Sequence, residues 1–141
     1  MSRRSEILQE YTATLAGANY LDNAIAHVYR GFRWLDQIND FPTICYSVQS
    51  STLDHIGAND RYYALDVTLR VYVRGEDSQA LIDQMLLDVE RTTENFRDVA
   101  SPSLEVVDAR VNSVSSDEGL MSPNGVGDMS ITISYKQSSI V

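Results

Sequence analysis

The residues best suited to chemistry in this chain are one cysteine, Cys45, and two histidines, His27 and His55. A cysteine nucleophile needs a base beside it, and a zinc site needs three or four Cys, His or carboxylate ligands. Cys45 lies within a predicted strand, whereas the sequence does not indicate the structure around either histidine. The pattern favours a small buried cysteine, and it predicts neither a catalytic site nor a metal site.

Acidic pairs and closely spaced glycines give no stronger signal for chemistry. The pairs Glu76–Asp77 and Asp117–Glu118 are typical of solvated loop charges. The run Asn-Gly-Val-Gly-Asp at 124–128 precedes a strand, whereas a phosphate-binding loop presents its amides at the start of a helix. We interpret this run as a flexible hairpin loop. The sequence therefore predicts no cofactor and no enzyme activity.

The charge of the chain limits its partners. A net charge of −9 over 141 residues disfavours nucleic acid and anionic membranes, and no apolar run approaches the roughly 20 residues of a membrane span. Ten of the 11 basic residues are arginine, and only Lys136 is lysine. Arginine is enriched at protein interfaces, although genomic base composition explains this bias equally well.

An aromatic and arginine-rich cluster stands out between residues 28 and 35. It places Tyr29, Phe32 and Trp34 next to Arg30 and Arg33. Tyr, Trp and Arg contribute most of the binding energy in many protein interfaces. Two interpretations remain open, because the aromatic residues could instead pack on the edge of a sheet while the arginines stay solvated.

Hydrophobic periodicity predicts two helices and four strands. The first helix spans Arg4 to Leu15, and the second, capped by Asp77 or Ser78, buries its Leu81–Val89 stripe. The predicted strands are Ile44–Val48, Tyr63–Val73, Leu104–Val114 with a bulge, and Met129–Lys136. The intervening segments are read as a short helix followed by irregular structure at Tyr20–Asp40, and as loops at Gln49–Asp60, Asn95–Ser103 and Ser115–Gly127.

These elements predict one α+β domain over residues 1–141. We expect a four-stranded sheet, mixed or antiparallel, with both main helices packed on one face in the order α-β-β-α-β-β. The opposite face of this sheet carries Asp66, Arg70, Tyr72, Arg74, Thr132 and Lys136. We expect Arg70, Tyr72 and Arg74 on that face to contact a neighbouring subunit, together with Tyr29, Arg30, Phe32, Arg33 and Trp34.

Two runs resemble the tail-terminator (tail-completion) proteins of long-tailed bacteriophages. The run VYRGFRWLDQINDFPTI, residues 28–44, looks like the segment that leads into the first strand of that family. The run LDVTLRVYVRGED, residues 65–77, is similar to its long strand and the turn into its second helix. The order of elements and the acidic balance agree, so the resemblance covers roughly residues 1 to 138.

The resemblance implies a structural role in the virion. Such proteins form a six-fold ring on the tail tube, stop its polymerisation and offer a docking surface to head–neck connector proteins. It implies self-association and contact with the tail tube protein at the tail–neck junction, after assembly in the cytoplasm of the host bacterium. Two alternatives stay open: another head–tail joining or tail tube protein, or a small-ligand-binding regulatory domain with a pocket between helices and sheet.

Overall fold

A computed structural model of the chain describes residues 2–17, 27–56, 60–118 and 123–138, except for the side chains of 54, 55 and 138. The α-helices in these ranges are α1 (Arg3–Gly17), α2 (Ser78–Glu94) and the short α3 (Phe96–Val99), and two 3-10 helices span Leu35–Gln37 and Pro102–Leu104. The strands are β1 (His27–Arg30), β2 (Thr43–Ile56), β3 (Asp60–Arg74), β4 (Val106–Ser116) and β5 (Asn124–Ser138).

The strands form one mixed sheet in the order β1-β2-β3-β5-β4. β1 pairs with β2 in parallel, and every other neighbouring pair is antiparallel. The α+β class and the mixed sheet are confirmed. The expected number of four strands is wrong, because β1 adds a fifth at the edge, within a segment read as a short helix and irregular structure. Residues 20–26 of that segment lie outside the described residues.

Both predicted helices are present and pack on one face of the sheet. In α1 the buried residues are Ile7, Leu8, Tyr11 and Leu15, which repeat at helical spacing. Asp77 caps α2, since its carboxylate accepts a hydrogen bond from the Ala80 amide at 3.2 Å. The main core therefore lies between these helices and the side chains on one face of β2, β3 and β5.

The β3 and β5 strands follow the alternation that the sequence predicts. Leu65, Val67, Leu69 and Val71 are buried on the helix-bearing face, and Met129, Ile131 and Ile133 lie on the same face of β5. The 124–128 run is the beginning of β5, so its interpretation as a flexible hairpin loop is wrong. Gly125 is instead required for packing, because a Cβ at this position would lie 2.8 Å from the carbonyl oxygen of Ser78 in α2.

The two hairpins are longer than the sequence predicts. β2 continues through Ile56 and β3 begins at Asp60, so most of the expected loop at Gln49–Asp60 is strand. Likewise β4 extends to Ser116 and β5 begins at Asn124, which shortens the expected loop at Ser115–Gly127. The predicted bulge in β4 is confirmed by register shifts opposite β5. The expected connection at Asn95–Ser103 contains α3, whose Phe96 is buried in the main core.

Candidate functional site

The candidate site lies on the face of the sheet opposite the helices, which we call the outer face. There the chain covers its own sheet with residues 31–42, called the cover segment below. Ile38 from this segment packs on Cys45 of β2 and Tyr72 of β3. The Tyr72 hydroxyl donates a hydrogen bond of 2.7 Å to the carbonyl oxygen of Arg33. Apolar contact and this hydrogen bond together fix the segment on the sheet.

Aromatic and arginine side chains pair on top of this contact. The Arg33 guanidinium lies 4.4 Å from the ring centroid of Tyr29, and the Arg70 guanidinium lies 5.3 Å from that of Phe32. These distances allow cation–π attraction. Trp34 stands beside them with 74% of its surface exposed, and Phe32 is 44% exposed. We call this set the arginine–aromatic surface: the exposed Phe32, Arg33, Trp34 and Arg74 together with the half-buried Tyr29 and Arg70.

Arg70 is held in place by a two-bond contact with Asp128 of β5. Arg70 Nε and Nη2 donate to the two Asp128 oxygens at 2.7 and 3.2 Å. These bonds raise the pKa of the Arg70 guanidinium further above its usual value, although partial burial acts in the opposite direction. A planar fork fixed in this way presents its face to Phe32 in a defined orientation. Arg70 is therefore oriented before any partner binds.

The structure brings together most, but not all, of the predicted interface residues. Tyr72 lies beneath the cover segment with 3% exposure, and this burial raises the pKa of its phenol. Its role in the isolated chain is to support Arg33. Arg30 follows Val28, which packs on the main core, so strand alternation directs Arg30 to the helix-bearing face. Contact of Arg30 or Tyr72 with another subunit stays a prediction.

The described residues that were considered above for chemistry are buried or make contacts of a structural kind. Cys45 is fully buried under the cover segment. His27 is exposed and lies 3.1 Å from Asp40, whereas the side chain of His55 lies outside the described residues. Asp117 accepts from the Val126 amide, and Glu118 accepts from Gln79. In the described ranges, no group of three His, Cys, Asp or Glu side chains could hold a metal ion.

Burial raises the pKa of the Cys45 thiol, so the thiol stays protonated at neutral pH. We expect iodoacetamide to leave Cys45 unmodified in the folded protein and to alkylate it fully in urea. Cys45→Ser is expected to lose about 1–2 kcal/mol of unfolding free energy, because a hydroxyl then replaces a buried thiol, and to keep normal assembly. Mass spectrometry measures the alkylation, and urea titration measures the loss of unfolding free energy. Rapid alkylation of the native protein would contradict the burial.

Two parts of this site were missed from the sequence. Asp128 was not singled out, because its pairing with Arg70 depends on the register of β3 and β5, in which these residues are direct partners. The extended conformation of β1 was missed because four residues are too few to show a period. The β-branched and aromatic pair Val28–Tyr29 was a weak signal for it.

A family model described as "Bacteriophage Tail Tube Terminator Protein" matches residues 1–141. The chain belongs to this tail tube terminator family. It is also 23% identical, over 127 residues, to tail tube terminator protein p142 of Escherichia phage T5, an alignment that covers 83% of this chain and 79% of the relative. The expected resemblance is therefore confirmed.

Membership of the terminator family makes this chain a structural protein of the bacteriophage virion. The family is one of tail components, so the relevant chemistry is that of protein–protein contact. Among the helices of the described residues, none is long and apolar enough to cross a membrane. The arginine–aromatic surface is accordingly a candidate contact surface of this tail terminator.

Proposed function

We propose that copies of this terminator form a closed ring on the end of the tail tube. The ring, six-fold by the family resemblance, stops the addition of tube subunits and offers a docking face to head–neck connector proteins. Residues 1–141 act in it as a single domain, assembled in the host cytoplasm. The observation that carries this proposal is the match of the whole chain to a tail tube terminator family.

The arginine–aromatic surface supports a role in contact with other subunits. Its exposed tryptophan, phenylalanine and arginines are the residue types that contribute most to binding energy. Its arginines are pre-oriented by Asp128 and by the aromatic rings, which lowers the entropy lost when a partner binds. Binding to a partner explains a surface of this composition, with pre-oriented arginines, better than contact with solvent alone does.

The end of the β2–β3 hairpin supports a second contact, with adjacent tube or neck subunits. β1 pairs only with residues 43–46 of β2, so the distal part of β2 has no partner from β1. Leu53 and Ile56 in that part are 42% and 65% exposed. Among the described residues no strand pairs with this edge beyond Tyr46, and exposed apolar side chains on such an edge are typical of surfaces that another chain covers.

A small-ligand-binding function has less support. That alternative needed a pocket between helices and sheet, and the cavity there, lined by Val73, Leu81 and Met85, has a volume of about 80 Å³. Pockets for small ligands usually enclose roughly 300–1,000 Å³. The cavity is therefore too small for a typical metabolite.

The capping function is tested by polymerising purified tail tube protein with and without this terminator. We expect shorter tubes carrying a ring at one end, visible by negative-stain electron microscopy, because a capped end accepts no further subunit. Phe96→Ala, which disrupts the core, is the inactive control. Tubes of unchanged length with bare ends would refute the proposal.

Ring formation in solution is expected to depend on protein concentration and salt. Charged contacts contribute to the proposed interface, and salt screens them over a Debye length of about 8 Å at physiological ionic strength. Light scattering should therefore show a closed oligomer at low salt that dissociates as salt is raised. A strict monomer that also fails to bind tube ends would contradict the ring.

A further inference from the structure

The solvent-facing side of α2 carries a stripe of acidic side chains around one apolar side chain, opposite in charge to the arginines of the arginine–aromatic surface. Asp83, Leu87, Glu90 and Glu94 follow one another at helical spacing, and we call this set the α2 stripe. Leu87 is 39% exposed, which makes it an apolar position between carboxylates. In the described parts of the chain, none of the ion pairs involves Asp83, Glu90 or Glu94. One cation, the exposed Arg91, accompanies them.

The charges of the two surfaces are opposite. Between Glu76 and Glu94 the chain has six acidic residues and a single basic one. On the arginine–aromatic surface, Arg33 and Arg74 make cation–π contacts and take part in none of the ion pairs of the described residues. The cover segment also carries two exposed carboxylates, Asp36 and Asp40, and Asp40 lies 3.1 Å from His27. Arg33 and Arg74 are therefore opposite in charge to the carboxylates of the α2 stripe, and each surface has an exposed apolar side chain, Trp34 on one and Leu87 on the other.

We infer that the arginine–aromatic surface of one copy binds the α2 stripe of a second copy. In this contact Trp34 packs on Leu87, while Arg33 and Arg74 pair with the unmatched carboxylates of the stripe. Apolar burial supplies affinity, and the complementary charges orient the two copies and disfavour other arrangements. The inference rests on the proposed ring and names its subunit contact.

The positions of the two surfaces determine the type of assembly. α2 packs on one face of the sheet, and the arginine–aromatic surface lies on the other. Because the two surfaces differ, their contact is head-to-tail, and it leaves a free copy of each surface on every dimer. Further copies then add until a rotation closes the ring, as a terminator requires.

Charge reversal tests the contact in two separate variants of the full chain. Variant A carries Arg33→Glu and Arg74→Glu, and variant B carries Asp83→Arg and Glu94→Arg. All four side chains are exposed, so both variants should keep the unfolding midpoint of the parent chain. A control with Arg4→Glu and Arg97→Glu makes the same change in net charge as variant A, at exposed sites outside both surfaces.

We expect A and B each to lose association by at least about tenfold, because like charges then face each other. The control should associate normally. A mixture of equal amounts of A and B should recover rings that contain an even number of subunits. In such a ring A and B alternate, so the reversed surface of A meets the reversed surface of B and the two unchanged surfaces meet each other. Analytical ultracentrifugation and electron microscopy measure recovery, in solution or on tube ends, wherever the parent chain forms rings.

The outcomes distinguish the inference from the proposed function. If the parent chain forms no ring in solution or on tube ends, the proposed ring itself is refuted. If the parent forms rings and A or B does so equally well, only the inference is overturned. If A and B both fail and their mixture also fails, the surfaces do not contact each other. Rings of A that no longer bind tube ends would assign the arginine–aromatic surface to the tail tube protein.

Discussion

Gly125→Ala is expected to lower the unfolding free energy by about 1–3 kcal/mol, the usual range for overpacking a well-packed core. The added methyl group would lie 2.8 Å from the Ser78 carbonyl oxygen and 3.1 Å from Ile82 Cβ. Both atoms belong to α2, so relief requires a shift of the helix rather than rotation of one side chain. That shift would disturb the buried face of α2 along its length.

Two other glycines provide a graded comparison for this effect. A Cβ on Gly127 would meet only the end of the Leu86 side chain, at 2.7 Å, and that side chain can rotate. A Cβ on Gly17 would meet nothing within 4 Å. Urea titration should therefore rank the losses as Gly125→Ala above Gly127→Ala, with Gly17→Ala within about 0.5 kcal/mol of the parent. Equal stability of all three variants would show that α2 does not pack closely on β5.

The parts of the fold that were predicted are those whose side chains alternate between core and solvent. β3 and β5 pair along their whole length and, in their central parts, direct apolar side chains into the main core at alternate positions, so their composition shows a period of two. The distal half of β2 was read as a loop, because residues 49–53 are exposed and no apolar period marks them. A strand with little buried surface carries little sequence signal.

The candidate site was predicted in composition but not in geometry. Exposure of Trp34 and proximity of Arg33 to Tyr29 follow from the way the cover segment crosses the outer face. That path is fixed by long-range contacts, such as Tyr72 to the Arg33 carbonyl, between residues 39 positions apart. Local periodicity contains no information on contacts of this kind, and for the same reason it could not place Arg30 on the other face.

The largest contrast between stability and assembly is expected between Phe96 and Trp34. Phe96 is fully buried, and its ring meets that of Tyr11 edge-on, with centroids 5.2 Å apart. Phe96→Ala is expected to lose about 3–5 kcal/mol of unfolding free energy, through lost burial and the cavity left behind. Trp34 is 74% exposed, which contradicts for this residue the alternative in which the aromatic residues pack on the edge of the sheet. Trp34→Ala should change the unfolding free energy by less than about 1 kcal/mol.

Assembly, in contrast to stability, should depend strongly on Trp34 under conditions in which Trp34→Ala is folded. Truncation of an interface hot spot costs at least about 2 kcal/mol of binding, which corresponds to roughly a 30-fold weaker association. We therefore expect Trp34→Ala to remain folded but to lose ring formation and tube capping, whereas Trp34→Phe should retain part of both. Since Trp34 is the only tryptophan, its fluorescence in the parent chain should shift to shorter wavelength as rings form. Normal capping by folded Trp34→Ala, with unchanged emission in the parent, would exclude Trp34 from the contact and leave its exposure without a role in assembly.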